Sequence, residues 1–205
     1  MIVLIRHGEI AGAKGRAVGQ IDLSLSKTGL DQALQLAESL GSFRPRRIYC
    51  SPLTRTVQTS SFIENKCGLE SSHIPEIKEI SLGRWEGLEF KTIKSLFPDE
   101  FEKRGQNMAD FRPPEGENFN DLQIRVRSFI ERLGEESAIV VTHAGVIRSV
   151  LHIVLGFPLE NIFRIKPDYC HVTVIEKAKQ DFVLKAFNLP PKHGLGEHLL
   201  EMMRN

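Results

Sequence analysis

Met1-Ile-Val-Leu-Ile-Arg-His-Gly8 opens the chain. Ile2 to Ile5 is a short, mostly β-branched apolar run, which predicts a buried strand. It stops abruptly at Arg6, His7 and Gly8. A parallel strand in an α/β sheet delivers its ligand-handling groups at its carboxyl end. Arg6 and His7 stand at that place, and Gly8 lets the backbone turn away or come close to a ligand. Taken alone, Arg-His-Gly is better read as a surface cation and a turn histidine, because a three-residue match is cheap. Ala138-Ile-Val-Val-Thr142 changes the weighting: it is a second buried-strand pattern, and it runs into His143-Ala-Gly145. Two apolar strands, each ending in a histidine beside a glycine, predict two imidazoles at one sheet edge.

The 205 residues suit one domain over 1–205, long enough to bury a full core. Apolar content of 41%, charged content of 26% and a net charge of +1 describe an ordinary globular chain with no basic field for nucleic acid or a membrane surface. An anion site must therefore be a local cluster of arginines. No stretch approaches the ~20 apolar residues of a membrane span. The apolar run before Arg6 is too short for a secretory signal. Cys50, Cys67 and Cys170 are scattered and odd in number, which argues against a disulfide framework and for a reducing, cytoplasmic setting. No C-x-x-C or H-E-x-x-H pattern suggests zinc.

Between the two histidine strands the chain alternates strands and helices. A glycine-rich loop, Gly12 to Gly19, precedes Ser26, an N-cap for a helix over about 27–40. Leu30, Ala33, Leu34, Ala37 and Leu40 would be its buried stripe and Gly41 its stop. Arg44, Arg46 and Arg47 read as a solvated turn. Arg47-Ile-Tyr-Cys50 reads as a strand, and Ser51-Pro52 as N-cap and first residue of a helix running to about Glu64. Arg55 lies in that helix's first part, beside free N–H groups that favour an anion, though a surface arginine fits this stretch as well. Cys50 lacks the glycine cradle and spacing of a cysteine phosphatase loop, so it reads as a buried strand residue.

Ile77 to Ile80 reads as a short extended piece. Glu79 and Glu86 flank the turn around Trp85, and either carboxylate could donate a proton. Residues 84–120 form an excursion with short helices over about 89–97 and 99–104, expected as a lid over the sheet edge. Leu122, Val126, Phe129, Ile130 and Leu133 mark an amphipathic helix ending at Gly134, and 146–155 a buried helix ending at Gly156. Segments 171–175 and 182–187 predict a hairpin around Lys177-Ala-Lys-Gln180. The tail, 190–205, either docks as a short helix or stays loose. This order predicts a three-layer α/β sandwich: a mostly parallel sheet, helices on both faces and a small helical lid.

If Arg6, His7, Arg55 and His143 meet at the carboxyl edge, the set suits a phosphate. Guanidiniums bind its non-bridging oxygens, and one neutral imidazole can attack phosphorus to give a phosphohistidine. The other imidazole adds a positive donor when protonated. A carboxylic acid must then protonate the leaving oxygen and later activate water.

These pieces jointly resemble the histidine phosphatase superfamily, also called phosphoglycerate mutase-like. The resemblance rests on Arg6-His7-Gly8-Glu9, Gly19-Gln-Ile-Asp-Leu-Ser-Leu-Ser26 with Gly29, Ser51-Pro-Leu-Thr-Arg55 with Gln58-Thr59, Glu79 ahead of Gly83-Arg-Trp-Glu-Gly87, and Thr142-His143-Ala-Gly145. It implies that His7 is the phosphorylated nucleophile, that Glu79 rather than Glu86 is the general acid/base, and that Arg6, Arg55 and His143 form the phosphate pocket. Gln20 and Ala144 are further candidate substrate contacts, with a loop-stabilising role as the equal alternative for Gln20, and no metal or cofactor is implied. Within the superfamily the chain is most similar to the alpha-ribazole phosphatase branch, through Gly15 to Leu25, Pro113 to Phe119, His143 to Arg148 and Leu155 to Leu159. Ile10, Ala13, Val18 and Asn118 depart from the usual patterns, which leaves the phosphate pocket intact and bears on the organic part of the substrate. The implied activity is metal-independent hydrolysis of a small phosphorylated metabolite, with alpha-ribazole 5'-phosphate as the leading substrate, by a monomer or homodimer. Phosphoglycerate mutation, a broad-specificity phosphatase and a non-catalytic binding module are the alternatives.

Overall fold

The computed structural model describes residues 1–179 and 181–204. Strand β1, Ile2–Arg6, lies inside a six-stranded sheet. The other strands are β2 (Arg47–Cys50), β3 (Ser71–His73), β4 (Ala138–Thr142), β5 (Val172–Ala178) and β6 (Asp181–Leu189), in the spatial order β3-β2-β4-β1-β5-β6. β3, β2, β4 and β1 run parallel, and β5 and β6 add an antiparallel hairpin at the other edge. The sheet is thus mostly parallel, as expected, with Gln180 of the predicted turn outside the described residues.

Helices cover both faces, which explains why β1 and β4 are apolar almost throughout rather than alternating. Val3 and Ile5 point to one side, into a core with Ala33, Leu36, Ile139, Val141 and Leu199. Ile2 and Leu4 point to the other, into a core with Leu122, Val126, Val140, Val146 and Val150. The first core is roofed by α1 (Lys27–Ser39), α2 (Thr54–Cys67) and α7 (Leu195–Arg204), which between them supply Leu36, Ile63 and Leu199. The second is roofed by α5 (Phe119–Arg132) and α6 (Ala144–Leu155). The tail therefore docks as a helix, with Leu195, Gly196 and Leu199 buried; Asn205 lies outside the described residues. None of the described helices is long and apolar enough to cross a membrane.

Ser26 caps α1 as expected, its hydroxyl accepting from the Gly29 amide at 3.0 Å. The buried stripe is rotated, however: Gly29, Ala33, Leu36 and Ala37 face inward, while Leu30 and Leu34 are exposed. Gly29 sets this phase. A Cβ there would collide with the Glu9 carbonyl, and one at Gly8 would meet the Gly29 carbonyl at 2.5 Å. Bare backbones pack face to face where the turn after β1 meets α1.

Three other readings change. Helix α2 starts at Thr54 with Leu53 as N-cap, not at Ser51-Pro52. Asp22, from the preceding loop, caps it instead by accepting from the Thr54 amide and hydroxyl at 2.6 and 2.7 Å. Ile77 to Ile80 is not extended: a 3-10 turn, Pro75–Ile77, leads into irregular chain. The carbonyls that a sheet partner would have taken are bonded by side chains instead, Ile77 by the Thr142 hydroxyl and Lys78 by Arg125. The edge strand is Ser71–His73, whose polar residues carry no apolar alternation to betray it.

The excursion holds α3 (Phe90–Leu96) and α4 (Pro98–Gln106), with Pro98 both ending one and starting the next. It has its own small cluster, in which Trp85 stacks on Phe111 at 5.2 Å and packs near Phe97 and Phe101. Ala17 exchanges backbone hydrogen bonds with Leu88 and Gly87 at 2.9 and 2.8 Å. The excursion and the glycine-rich loop are thereby joined into one wall beside the carboxyl end of β1.

Candidate active site

In-register pairing of β1 with β4, from Ile2↔Ala138 to Arg6↔Thr142, delivers His7 and His143 side by side. Their ring centroids lie 5.2 Å apart, edge to face. His7 is buried, and its Nδ1 is 2.7 Å from the Gly8 carbonyl oxygen. A carbonyl can only accept, so Nδ1 carries the hydrogen and Nε2 keeps its lone pair. Burial pushes the His7 pKa well below the ordinary histidine value. The guanidiniums of Arg55 and then Arg6 push the same way, against the Gly8 hydrogen bond.

His143 is tied the other way round. Its Nδ1 lies 3.3 Å from Nε of Arg55, a group that can only donate, so Nε2 carries the hydrogen and gives it to the Ser51 hydroxyl at 2.8 Å. This is what Ser51 does in place of capping α2. Burial, followed by His7 and Arg55, lowers the His143 pKa well below its ordinary value. The second imidazole is therefore neutral in the unliganded protein, and an entering dianion would favour its protonation.

Arg55, in the first turn of α2, is almost wholly buried. Its Nη1 donates to the Ile21 carbonyl at 2.7 Å and its Nη2 to the Gly19 carbonyl at 2.8 Å. Each of these nitrogens retains a second hydrogen for a ligand. Arg6 donates from Nη1 to the Pro167 carbonyl at 2.7 Å, and its Cζ sits 3.7 Å from the centroid of the Tyr169 ring. Nothing in the sequence pattern marks Tyr169, which precedes β5 in a polar loop.

Space separates the two glutamates. Glu86 is committed to its own turn, accepting from the Gln20 and Leu82 amides at 2.9 and 3.0 Å. Glu79 accepts from the Ile80 and Gly145 amides at 2.9 and 3.2 Å and lines the same cleft as His7. A Cβ at Gly145 would collide with the Glu79 carboxylate. The loop carrying Glu79 is clamped by Arg125, which donates to the carbonyls of Glu76, Lys78 and Glu79 at 2.6, 2.6 and 2.9 Å. The same guanidinium binds both oxygens of Glu117 at 2.9 and 2.8 Å. The only hint of Arg125 in the sequence is its place beside Val126 on the apolar flank of α5.

The cleft has a volume of about 290 Å³, and Arg6, His7, Arg55, Glu79, Ala144 and Tyr169 all line it. Ala144 is the first residue of α6, so the cleft faces a helix N-terminus. Gln20 and His143 are not among the lining residues: the Gln20 side-chain amide donates to the Glu79 carbonyl at 2.9 Å, and His143 is fully buried directly behind His7 and Arg55. Burial raises the Cys50 thiol to about 12, which leaves it no thiolate at neutral pH.

The buried imidazoles make stability depend on pH with a definite sign. His7 and His143 resist protonation when folded and accept it near 6.5 when unfolded. Their contribution is present above about 6.5 and is lost as pH falls. The urea midpoint in phosphate-free buffer should drop between about pH 7.5 and pH 5.5, and drop less in His7→Gln. A flat midpoint across that window would contradict the neutral pair.

Residues 2–190 match the family model of the histidine phosphatase superfamily, branch 1. The chain belongs to that superfamily. A metal-independent phosphoserine phosphatase of Arabidopsis thaliana is 36% identical over 157 residues, covering 73% of this chain and 66% of that one, so the match spans just under two thirds of that relative. Phosphoserine phosphatase 1 of Hydrogenobacter thermophilus is 28% identical over 205 residues, covering 98% and 96% of the two chains. The solved alpha-ribazole phosphatase of Shigella flexneri superposes with a TM-score of 0.84 at 26% identity, covering 91% of this histidine phosphatase and 95% of that chain.

Proposed function

We propose that this histidine phosphatase hydrolyses a small phosphomonoester in two steps, through a phosphohistidine on His7. The observation that carries the reading is the hydrogen bond from Nδ1 of His7 to the Gly8 carbonyl beside two guanidiniums. It leaves a neutral imidazole with an Nε2 lone pair where an anionic ester would be held. Arg6, Arg55 and His143 bind the non-bridging oxygens and take up the charge that spreads over them. The amide at the start of α6, at Ala144, adds a fixed dipole.

In the first step Nε2 attacks phosphorus, the ester P–O bond breaks, and the Glu79 carboxylic acid gives its proton to the departing oxygen. In the second, the Glu79 carboxylate takes a proton from water, the oxygen bonds to phosphorus, and the P–N bond breaks. Inorganic phosphate leaves, with His7 neutral and Glu79 protonated again. Gln20 and Arg125 act through Glu79, fixing its main chain rather than touching phosphate.

Two substrates have support. Alpha-ribazole 5'-phosphate is favoured by the sequence motifs and by likeness to the Shigella flexneri enzyme. An amino-acid-sized ester is favoured by the names of the Arabidopsis and Hydrogenobacter relatives. The unpaired cysteines are consistent with a cytoplasmic setting. The test is phosphate release from p-nitrophenyl phosphate, alpha-ribazole 5'-phosphate, O-phosphoserine and 3-phosphoglycerate, with and without a chelator. Release from at least one ester, unaffected by chelator, is expected. Interconversion of phosphoglycerates without release would make the protein a mutase. Phosphate binding without turnover would make it a binding module.

A further inference from the structure

Past Glu79 the cleft adjoins a second cavity of about 120 Å³, and the two share Glu79, Ile80, Leu82 and Arg148 as a common wall. If Glu79 protonates the leaving oxygen, the organic part of the substrate departs along this wall. The role of the second cavity therefore rests on the phosphohistidine reading. Met108, Phe111, Phe119 and Phe163 give the cavity an apolar body, while Arg104 of α4 and Arg148 of α6 bring two cations to it.

Neither arginine has a carboxylate within 4.0 Å among the described residues. Of the two acids in the cavity wall, Glu117 is matched by Arg125, and Glu79 is bonded to the Ile80 and Gly145 amides. Both arginines are partly buried, and burial lowers the pKa of each; the Glu79 carboxylate opposes this in part for Arg148, while no charge opposes it for Arg104. A desolvated cation without a counter-ion is costly, and an anion entering the cavity would relieve that cost. Each guanidinium also lies near an aromatic ring, Arg104 at 5.9 Å from Phe90 and Arg148 at 5.2 Å from Phe163. Arg148 is further held by a bond from Nε to the Ile165 carbonyl at 2.8 Å, which leaves its outer nitrogens for a ligand.

We infer that this cavity is a second anion subsite, in which Arg104 and Arg148 bind an acidic group on the organic part of the substrate. The substrate class is a phosphomonoester carrying a carboxylate on a short, partly apolar carbon skeleton. Alpha-ribazole 5'-phosphate has no acid in its organic part and would leave Arg104 uncompensated and Arg148 with the Glu79 carboxylate alone.

Two matched pairs isolate the carboxylate: 3-phosphoglycerate against glycerol 3-phosphate, and 4-carboxyphenyl phosphate against phenyl phosphate. Wild type should favour the acidic member of at least one pair by about tenfold or more in kcat/KM, the usual scale of a charged hydrogen bond. Arg104→Met and Arg148→Met should each shrink that ratio by a similar factor, and Arg104→Lys should keep part of it. Circular dichroism and thermal midpoints of the variants check their folding, and Arg104, on the partly exposed α4, gives the cleaner reading. Equal rates within both pairs, or a preference that survives both methionine variants, would overturn the subsite while leaving the phosphatase reading intact. Absence of phosphate release from all four esters would instead bring down the phosphatase reading and this inference with it.

Discussion

His7→Ala should abolish phosphate release, lowering turnover by roughly 10⁴-fold or more for every ester the wild type accepts. The size follows from the division of labour in the cleft. Arg6 and Arg55 can hold and polarise a phosphate but have no lone pair to attack with, and the lone pair of His143, on Nδ1, is taken by the Arg55 Nε–H, whereas His7 keeps its Nε2 lone pair with Nδ1 anchored on the Gly8 carbonyl. The substitution should leave the fold in place, because the His7 side chain bonds to its own neighbour's carbonyl rather than to a distant element. It also leaves Gly8 bonded to the Thr59 hydroxyl at 3.1 Å. Phosphate binding by calorimetry should therefore persist while turnover disappears. A His7→Ala enzyme that still turns over would end the mechanism.

Glu79→Gln should slow alkyl esters by about 10² to 10⁴-fold, the usual scale of general acid–base catalysis. In kcat/KM, which reports the first step, it should slow p-nitrophenyl phosphate less, because that leaving group departs without needing a proton. The substitution is nearly isosteric, but it is not silent in its hydrogen bonds. The carboxylate accepts from both the Ile80 and the Gly145 amides, and a carboxamide has one acceptor for two donors. Some displacement of the loop adds to the loss, and the difference between alkyl and aryl esters separates the proton's share from it. Equal losses in kcat/KM on both ester types would show that Glu79 is not the acid.

The parts of this molecule legible from its sequence are those where one physical demand dominates. β1 and β4 must be apolar on both faces, and their ends are marked by Arg6-His7-Gly8 and His143, so strands and adjacency can be read together. Helix α1 is harder. Leu30 and Leu34 satisfy helical spacing as well as Leu36 does, and only the backbone contact between Gly29 and Glu9 selects the inward face. Ser51-Pro52 has the composition of a helix start, but its hydroxyl is taken by His143, an interaction across 92 positions of sequence that no local pattern announces. Glu79 and Glu86 cannot be told apart from the residues, since the difference lies in which amides reach them. Tyr169 and Arg125 stay hidden for the same reason: they act through long-range contacts with Arg6 and with the Glu79 loop.

The most direct test of the phosphohistidine is to trap it. Enzyme mixed with excess p-nitrophenyl phosphate, quenched in denaturant at alkaline pH and digested under the same conditions, should yield one phosphorylated peptide. Fragmentation should place the phosphoryl group on His7, and acid should remove it. In Glu79→Gln the trapped fraction should change, because both formation and hydrolysis of the intermediate pass through that carboxyl. A phosphoryl group on any other residue, or phosphate release in labelled water with no phosphoenzyme at any quench time, would contradict the account.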